Sequence, residues 1–360
     1  MVAFMKKFEQ KFIDIDSVIS MDNEPDFDNL LDVLKLKAPK RSVIFEFAIN
    51  EGIIDLATKG LKYDENDPLL LNKKLADGFR ILGYDHVCVW PTAFDFASNR
   101  NQHKKQSISI NEGAVIHDRE SFLAYQWNNP DDYSDYDEIL GMLTGYISGK
   151  QKVIVTGPGG VLEVVIMLVG YENLCLMIYD DPKLVHAIFK EVADRFCRHY
   201  EICGQYDIVG GMFSNDDWGF NTQTLMSTED MRKYVFPWHK KIVAAAHKKN
   251  KPAILHSCGN AALIYGDIID GIGYDGKHSY EDNIQSVEDA YEMLKGRIAV
   301  LGGMDLDFVT RKTPEEITQR AKAMLERASE CGGYALGTGN SVPASVPFEN
   351  YLAMIKAVLG

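Results

Sequence analysis

The sequence predicts an α/β chain folded as a (β/α)8 TIM barrel, with an N-terminal helical extension and a β-hairpin insertion after the second strand. Three observations carry this reading. Eight short apolar runs alternate with helical stretches over residues 41–360, as in a parallel sheet with helical crossovers. A length of 360 residues suits one barrel domain with insertions, preceded by an extension over 1–40. Polar and glycine-rich residues follow directly after the apolar runs, at the strand ends where barrels house their chemistry.

The elements follow in order. Asp26 to Lys37 has helical spacing and stops before Pro39. The first strand is Arg41-Ser-Val-Ile-Phe-Glu-Phe-Ala-Ile49, followed by a helix over 51–60. A helix over 69–82 leads into the second strand, His86-Val-Cys-Val-Trp90. The insertion, about 92–135, contains the alternating Gln106-Ser-Ile-Ser-Ile-Asn111, which reads as a hairpin over the barrel mouth. Lys152-Val-Ile-Val-Thr156 is the third strand and turns through Gly157-Pro-Gly-Gly160. The fourth, Asp207-Ile-Val-Gly-Gly-Met-Phe213, follows a long helix over 182–204. A helix from Thr228, which serves as its cap, to Lys249 precedes the fifth strand, Pro252-Ala-Ile-Leu-His256. Gly273-Tyr-Asp-Gly-Lys277-His278, Arg297-Ile-Ala-Val-Leu-Gly-Gly303 and Gly333-Tyr-Ala-Leu-Gly337 complete the set. Thr313-Pro-Glu-Glu opens a capped helix, and a closing helix runs over 347–359.

Composition narrows the function classes. Lys and Arg number 38 against 52 Asp and Glu, a net charge of -14, which argues against nucleic-acid or anionic-membrane partners that require a basic face. The six cysteines have no paired spacing, the pattern of a reducing cytoplasm rather than a disulfide framework. The start of the chain lacks a signal peptide's apolar core, and the most apolar segment, 161–170, is interrupted by Glu163 and too short to span a bilayer. The expectation is a cytoplasmic protein with a small-molecule substrate.

Candidate chemistry centres on His256-Ser-Cys258. Alternation along a strand places His256 and Cys258 on one face, and imidazole with thiolate suits zinc. A hydrogen-bonded core histidine beside an inert thiol is the plain alternative. Of the adjacent Asp216 and Asp217, one is expected to point inward, as an oxygen ligand or as an acceptor orienting His256; the alternative is a cap for the following helix. Lys277 and His278 would bind an anionic substrate or complete the metal set, unless they form a rim pair facing water. Glu46, mid-strand, is a metal-ligand candidate if it faces inward, because a buried carboxylate needs a partner. Asn215, Trp218, Asn340 and Ser341, at the same rim, are candidate substrate contacts. Cys331 precedes the eighth strand and should lie at the opposite end of the barrel.

Together Asn215-Asp-Asp-Trp-Gly219, Met226-Ser-Thr-Glu-Asp-Met231, Leu255-His-Ser-Cys-Gly-Asn260, Gly302-Gly-Met-Asp305, Thr313-Pro-Glu-Glu316, Gly332-Gly-Tyr334 and Pro347-Phe-Glu-Asn350 resemble the uroporphyrinogen decarboxylase superfamily. The resemblance implies a (β/α)8 barrel, a homodimer, and one of two chemistries. One is cofactor-free decarboxylation of porphyrinogens. The other is methyl exchange between a corrinoid protein and a small molecule by zinc methyltransferases. The decarboxylase branch carries an Arg-Gln-Ala-Gly-Arg-Tyr motif after its first strand, where this chain has Phe45-Glu-Phe-Ala-Ile-Asn-Glu-Gly52 without arginine. The methyltransferase branch carries His-x-Cys, matched by His256 and Cys258, and a second cysteine after the eighth strand, where this chain has Gly339, Asn340 and Ser341. The expectation is a zinc-dependent methyltransferase acting with a corrinoid protein, its further ligands drawn from Glu46, Asp216, Asp217 or His278. The alternatives are a divergent decarboxylase of a smaller carboxylate, with Lys277 as anion-binding group, and a non-catalytic barrel that binds a corrinoid protein.

Overall fold

A computed structural model describes residues 24–98, 110–147 and 149–359. Its centre is a curled sheet of seven parallel strands in sequence order: β1 (His86–Val89), β2 (Lys152–Val155), β3 (Val209–Asn215), β4 (Ala253–His256), β5 (Gly276–His278), β6 (Ala299–Leu301) and β7 (Tyr334–Ala335). This is a TIM-barrel-like arrangement. The strands are short, and all but the first residue of β2 and the last of β3 are buried, as expected for parallel strands covered on both faces.

The first expected strand takes a different form. Residues 43–49 run beside β7 but join it through isolated bridges, Ile44 to Leu336 and Ile49 to Val342. Phe45 N donates to Leu336 O and Leu336 N to Val43 O. On the β1 side the Glu46 carbonyl meets the His86 ring nitrogen Nε2 at 2.9 Å and the Cys88 thiol. Side chains therefore take the place of a backbone ladder along that seam.

Two cores result. Inside the curl lie Phe45, Cys88, Ile154, Phe213, Ile254, Ala299, Leu301 and Ala335. Helix α1 (Asp28–Leu34) contributes Leu30, Val33 and Leu34 to the same cluster, with Phe27 preceding it. A Cβ on Gly210 would meet Phe27, and one on Gly276 would meet Leu34, so α1 plugs the end where the strands begin. That leaves the opposite end, where the strands finish, for polar residues.

The larger core packs the outer face of the sheet against helices α2 (Glu51–Ala57), α3 (Leu70–Ile81), α4 (Arg119–Ala124), α5 (Asp135–Tyr146), α6 (Val161–Val169), α7 (Tyr171–Asp180), α8 (Pro182–Cys203), α9 (Phe236–Lys248), α10 (Val287–Leu294), α11 (Leu306–Arg311), α12 (Pro314–Ala328) and α13 (Phe348–Leu359). Thr313 and Glu316 form the expected capping box on α12. The segment leading into α9 is capped by Ser227, not Thr228, and passes through a π-turn at Met231–Val235. Among the described residues no single helix is long and apolar enough to cross a membrane; α6 and α7 together reach the length but are bent by 91°. The expected hairpin strand lies largely outside the described residues, and the described part of that insertion contains α4.

Candidate metal centre

Register brings the site together. Asn215 on β3 pairs with His256 on β4, and His256 pairs with His278 on β5, so these residues stand side by side where the strands end. The chain then turns at Gly259, which holds a φ of +83°. A Cβ there would fall 2.2 Å from the carbonyl of Gly219. Only glycine permits that approach, and it lets the loop after β3 lie directly over the loop after β4. Asp217 is thereby carried onto Cys258, whose backbone N–H donates to Asp217 Oδ1 at 2.8 Å.

Three donor types converge. His256 Nε2 stands 3.5 Å from Cys258 Sγ and 3.7 Å from Asp217 Oδ1, and the three ligand atoms lie within 4.8 Å of one another. A nitrogen and a sulfur held about 2.0 and 2.3 Å from one tetrahedral zinc stand about 3.5 Å apart. The observed nitrogen–sulfur separation matches that span, so the set fits a zinc ion with at least one position left for a substrate or water.

Burial shifts the protonation of every member of the cluster. Burial pushes the Cys258 thiol up to about 12, and the neighbouring Asp217 carboxylate adds to the effect. Burial likewise raises the Asp217 carboxyl. Burial, with His278 and Lys277 nearby, holds His256 well below the usual imidazole range, so the 3.7 Å contact with Asp217 joins a carboxylate to a neutral ring and is no ion pair. A bound dication reverses this balance and favours both the thiolate and the carboxylate.

The other expected site residues divide. Asn340 comes to the cluster: its Nδ2 donates to Cys258 Sγ at 3.1 Å, while its Oδ1 accepts from Ser341 N at 2.7 Å. Ser341 is thus one residue removed from the sulfur. Lys277 is buried, its ammonium donating to the carbonyls of Ser279 at 2.7 Å and Ser257 at 3.4 Å and lying over the Tyr280 ring. Burial lowers it to about 8. It is not a rim group facing water. His278 is fully buried, and its Nδ1 meets His256 Nδ1 at 2.7 Å.

Three expectations are corrected. Asp216 turns away from the cluster. Its oxygens accept from Leu162 N and Glu163 N at the start of α6, and Oδ2 also meets His239 Nε2 at 2.8 Å. It caps the helix that precedes it in the chain, not the one that follows. Trp218 is no open substrate contact: it is 1% exposed, packed on Phe236 and His239. Glu46 faces the outer side of the sheet. Phe45 and Phe47 point inward onto Phe213 and His278, and alternation sends Glu46 the other way. Its carboxyl meets Thr338 N at 2.6 Å and Thr338 Oγ1 at 2.7 Å. Cys331 is exposed, in the turn before β7.

Residues not singled out from the sequence also contribute. Ser279 Oγ lies 3.8 Å from Cys258 Sγ, and Thr338 O lies 3.1 Å from His278 Nε2. Ser279 was recoverable from its place directly after Lys277-His278; no local signal marks the Thr338 carbonyl. Beside the cluster opens a cavity of about 670 Å³ lined by Tyr280, Glu281, Asp305, Phe308, Arg311 and Asn340, among others. Asn340, which lies on its wall, also donates to Cys258 Sγ.

Residues 126–359, more than half of the chain, match the family model described as uroporphyrinogen decarboxylase (URO-D). Over 192 residues the chain is 26% identical to the uroporphyrinogen decarboxylase of Anaeromyxobacter dehalogenans, covering 52% of this chain and 51% of that protein. Over 137 residues it is 25% identical to the methylcobamide:CoM methyltransferase of Methanosarcina acetivorans, covering 37% of each. The chain thus spans about half the length, or less, of these relatives. In three dimensions it is similar to a methyltransferase from Methanosarcina mazei, with a TM-score of 0.66 at 18% identity, covering 91% of this chain and 96% of that one. At that identity the likeness speaks for the fold.

Proposed function

The chain belongs to the uroporphyrinogen decarboxylase family, and within it we propose a zinc-dependent methyltransferase that exchanges a methyl group between a corrinoid protein and a small-molecule donor or acceptor. The observation that carries this reading is the convergence of His256 Nε2, Cys258 Sγ and Asp217 Oδ1 at zinc-ligand spacing. The partial similarity to a methylcobamide:CoM methyltransferase supports the methyl-transfer class.

His256, Cys258 and Asp217 hold the zinc. Bound there, it supplies Lewis acidity that lowers the pKa of an acceptor thiol or polarises the heteroatom of a methyl donor. Asn340 steadies the Cys258 sulfur with its N–H, and the cavity beside it admits the small molecule. The corrinoid arrives on a separate protein. A cytoplasmic homodimer completes the proposal; six unpaired cysteines suit a reducing compartment.

Decarboxylation fits the site less well. Glu281, Asp282, Asp305 and Asp307 line the cavity, and a substrate bearing several carboxylates would meet repulsion there. Arg311 and Lys312 on the same wall are paired with Asp307 and Glu316, and Lys277 is turned to carbonyls.

The test is metal analysis of protein purified without chelator, together with methyl transfer assayed in both directions, from free methylcobalamin to small thiols and from methyl ethers and methylamines to reduced cobalamin. About one zinc per chain is expected, lost in His256→Ala and Cys258→Ser along with turnover. Zinc that stays near zero after addition to the wild type, or activity unaltered in His256→Ala, overturns the proposal.

A further inference from the structure

The contact between His256 and His278 has a definite proton order. The two Nδ1 atoms face each other at 2.7 Å, so a single proton lies between them. His278 Nε2 faces the Thr338 carbonyl at 3.1 Å, and a carbonyl only accepts. His278 therefore carries its proton on Nε2. Its ring is fully buried and surrounded by Phe45, Phe47 and Phe213, which offer nothing to compensate a second, charge-bearing proton. Nδ1 of His278 is left as an acceptor, and the proton between the rings belongs to His256 Nδ1. The lone pair of His256 then sits on Nε2, the atom that faces Cys258 and Asp217.

The backbone is shaped to keep this order. Gly302 holds a φ of +69° between β6 and the loop that follows. A Cβ there would fall 2.3 Å from Thr338 O and 2.9 Å from His278 Nε2, the two atoms of the hydrogen bond that starts the relay. The missing side chain leaves room for that bond.

We infer that His278 is a positioning residue: anchored on the Thr338 carbonyl, it accepts the Nδ1 proton of His256 and so keeps His256 Nε2 unprotonated and aimed at the metal position. This replaces the sequence-based expectation of His278 as a metal ligand, and its value to metal binding rests on the zinc reading above. A neutral histidine ligates through whichever nitrogen lacks the proton, and the partner of its other nitrogen decides which that is.

Two measurements test it, and they fail separately from the zinc proposal. Long-range ¹⁵N–¹H spectra of the metal-free, histidine-labelled protein read tautomers directly, with His256→Ala and His278→Asn giving the assignments. The expected result is His256 protonated at Nδ1 and His278 at Nε2; His256 protonated at Nε2 overturns the inference whether or not zinc binds. The second measurement is zinc affinity by chelator competition in His278→Phe and His278→Asn, with thermal unfolding as the check on folding. Phenylalanine keeps the ring packing but offers no acceptor, so affinity should fall about 10–100-fold. Asparagine places a carbonyl oxygen where Nδ1 was and should stay within about threefold of wild type on the same reasoning. Affinity unchanged in His278→Phe refutes the inference while leaving the zinc site intact. An equal loss in both variants also refutes it, by making His278 a ligand.

Discussion

Replacing Glu46 by glutamine should abolish a large pH dependence of stability. Glu46 is completely buried, and burial pushes its carboxyl from 4.5 up to about 8, against the lowering effect of the Thr338 N–H and hydroxyl. The geometry gives an independent reason for a protonated group. Thr338 Oγ1 lies 2.7 Å from Glu46 Oε2 and 2.6 Å from the Asn340 carbonyl. The single hydroxyl proton cannot serve both. With Glu46 protonated, its O–H donates to Thr338 Oγ1, which donates onward to Asn340 O. The sign follows from the raised pKa. The folded chain keeps a proton that the unfolded chain releases, so the contribution is complete below pH 4.5 and is lost as pH rises toward 8. Over that window stability falls by about 1.4 kcal/mol per pH unit, and the full shift corresponds to about 5 kcal/mol at most. Glutamine reproduces the protonated pattern, its amide N–H donating to Thr338 Oγ1 and its oxygen accepting from Thr338 N, without titrating. Urea unfolding of wild type and Glu46→Gln from pH 5 to 9 should give curves whose difference grows by several kcal/mol in favour of the variant. A difference that stays flat across that range refutes a neutral Glu46.

Two further substitutions test neighbouring parts of the argument. Asn340→Cys puts a second thiol opposite Cys258 Sγ, so zinc affinity should rise about tenfold or more, near 1.4 kcal/mol; chelator competition showing no gain would mean that residue 340 does not reach the metal position. Asp216→Ala removes the cap of α6 and a hydrogen-bond partner of His239 in a fully buried setting, so unfolding free energy should drop by about 2–4 kcal/mol. A drop below about 1 kcal/mol would assign the helix cap and its histidine no structural weight.

How far the sequence reaches depends on what each side chain meets. Alternation predicts His256 and Cys258 on one face because a strand's period is local; in the fold β4 ends at His256, and Cys258 meets it from the turn that follows. That Asp216 and Asp217 diverge also follows from adjacency, but which one meets Cys258 is decided by the contact of Gly219 with Gly259, 40 residues apart in the chain. Trp218, at a strand end, suggests a rim contact; in the fold the loop turns back and packs it on His239 of α9. Glu46 misleads for a different reason. In a sheet covered on both faces an outward side chain is buried too, so burial of a carboxylate does not identify the inner face. The residues 43–49 read as a strand because their apolar pattern is right. Their weak pairing reflects a partner choice, the Glu46 carbonyl taken by the His86 ring, that no local pattern encodes.

On the zinc reading, the donor set would let a metal bind without the second cysteine. Cys258 and Asp217, once ionised, contribute two negative charges, which balance a dication just as two thiolates and a neutral histidine would. In a buried site that neutrality matters more than the identity of the second anion, because an uncompensated charge there costs several kcal/mol. What changes is softness. A carboxylate oxygen in place of a sulfur donates less electron density and would leave a bound zinc a stronger Lewis acid toward a substrate. Asn340 adds to this from the other side, since its N–H on the Cys258 sulfur withdraws charge from the remaining thiolate. With zinc bound as proposed, Asp217 and Asn340 would both move the centre toward polarising an oxygen or nitrogen that bears a methyl group and away from holding a second sulfur. Methyl donors of the ether or amine class should therefore turn over at this site in preference to methyl transfer onto thiols. A thiol-only profile, with methyl ethers and methylamines inert in the presence of a reduced corrinoid, would refute that direction.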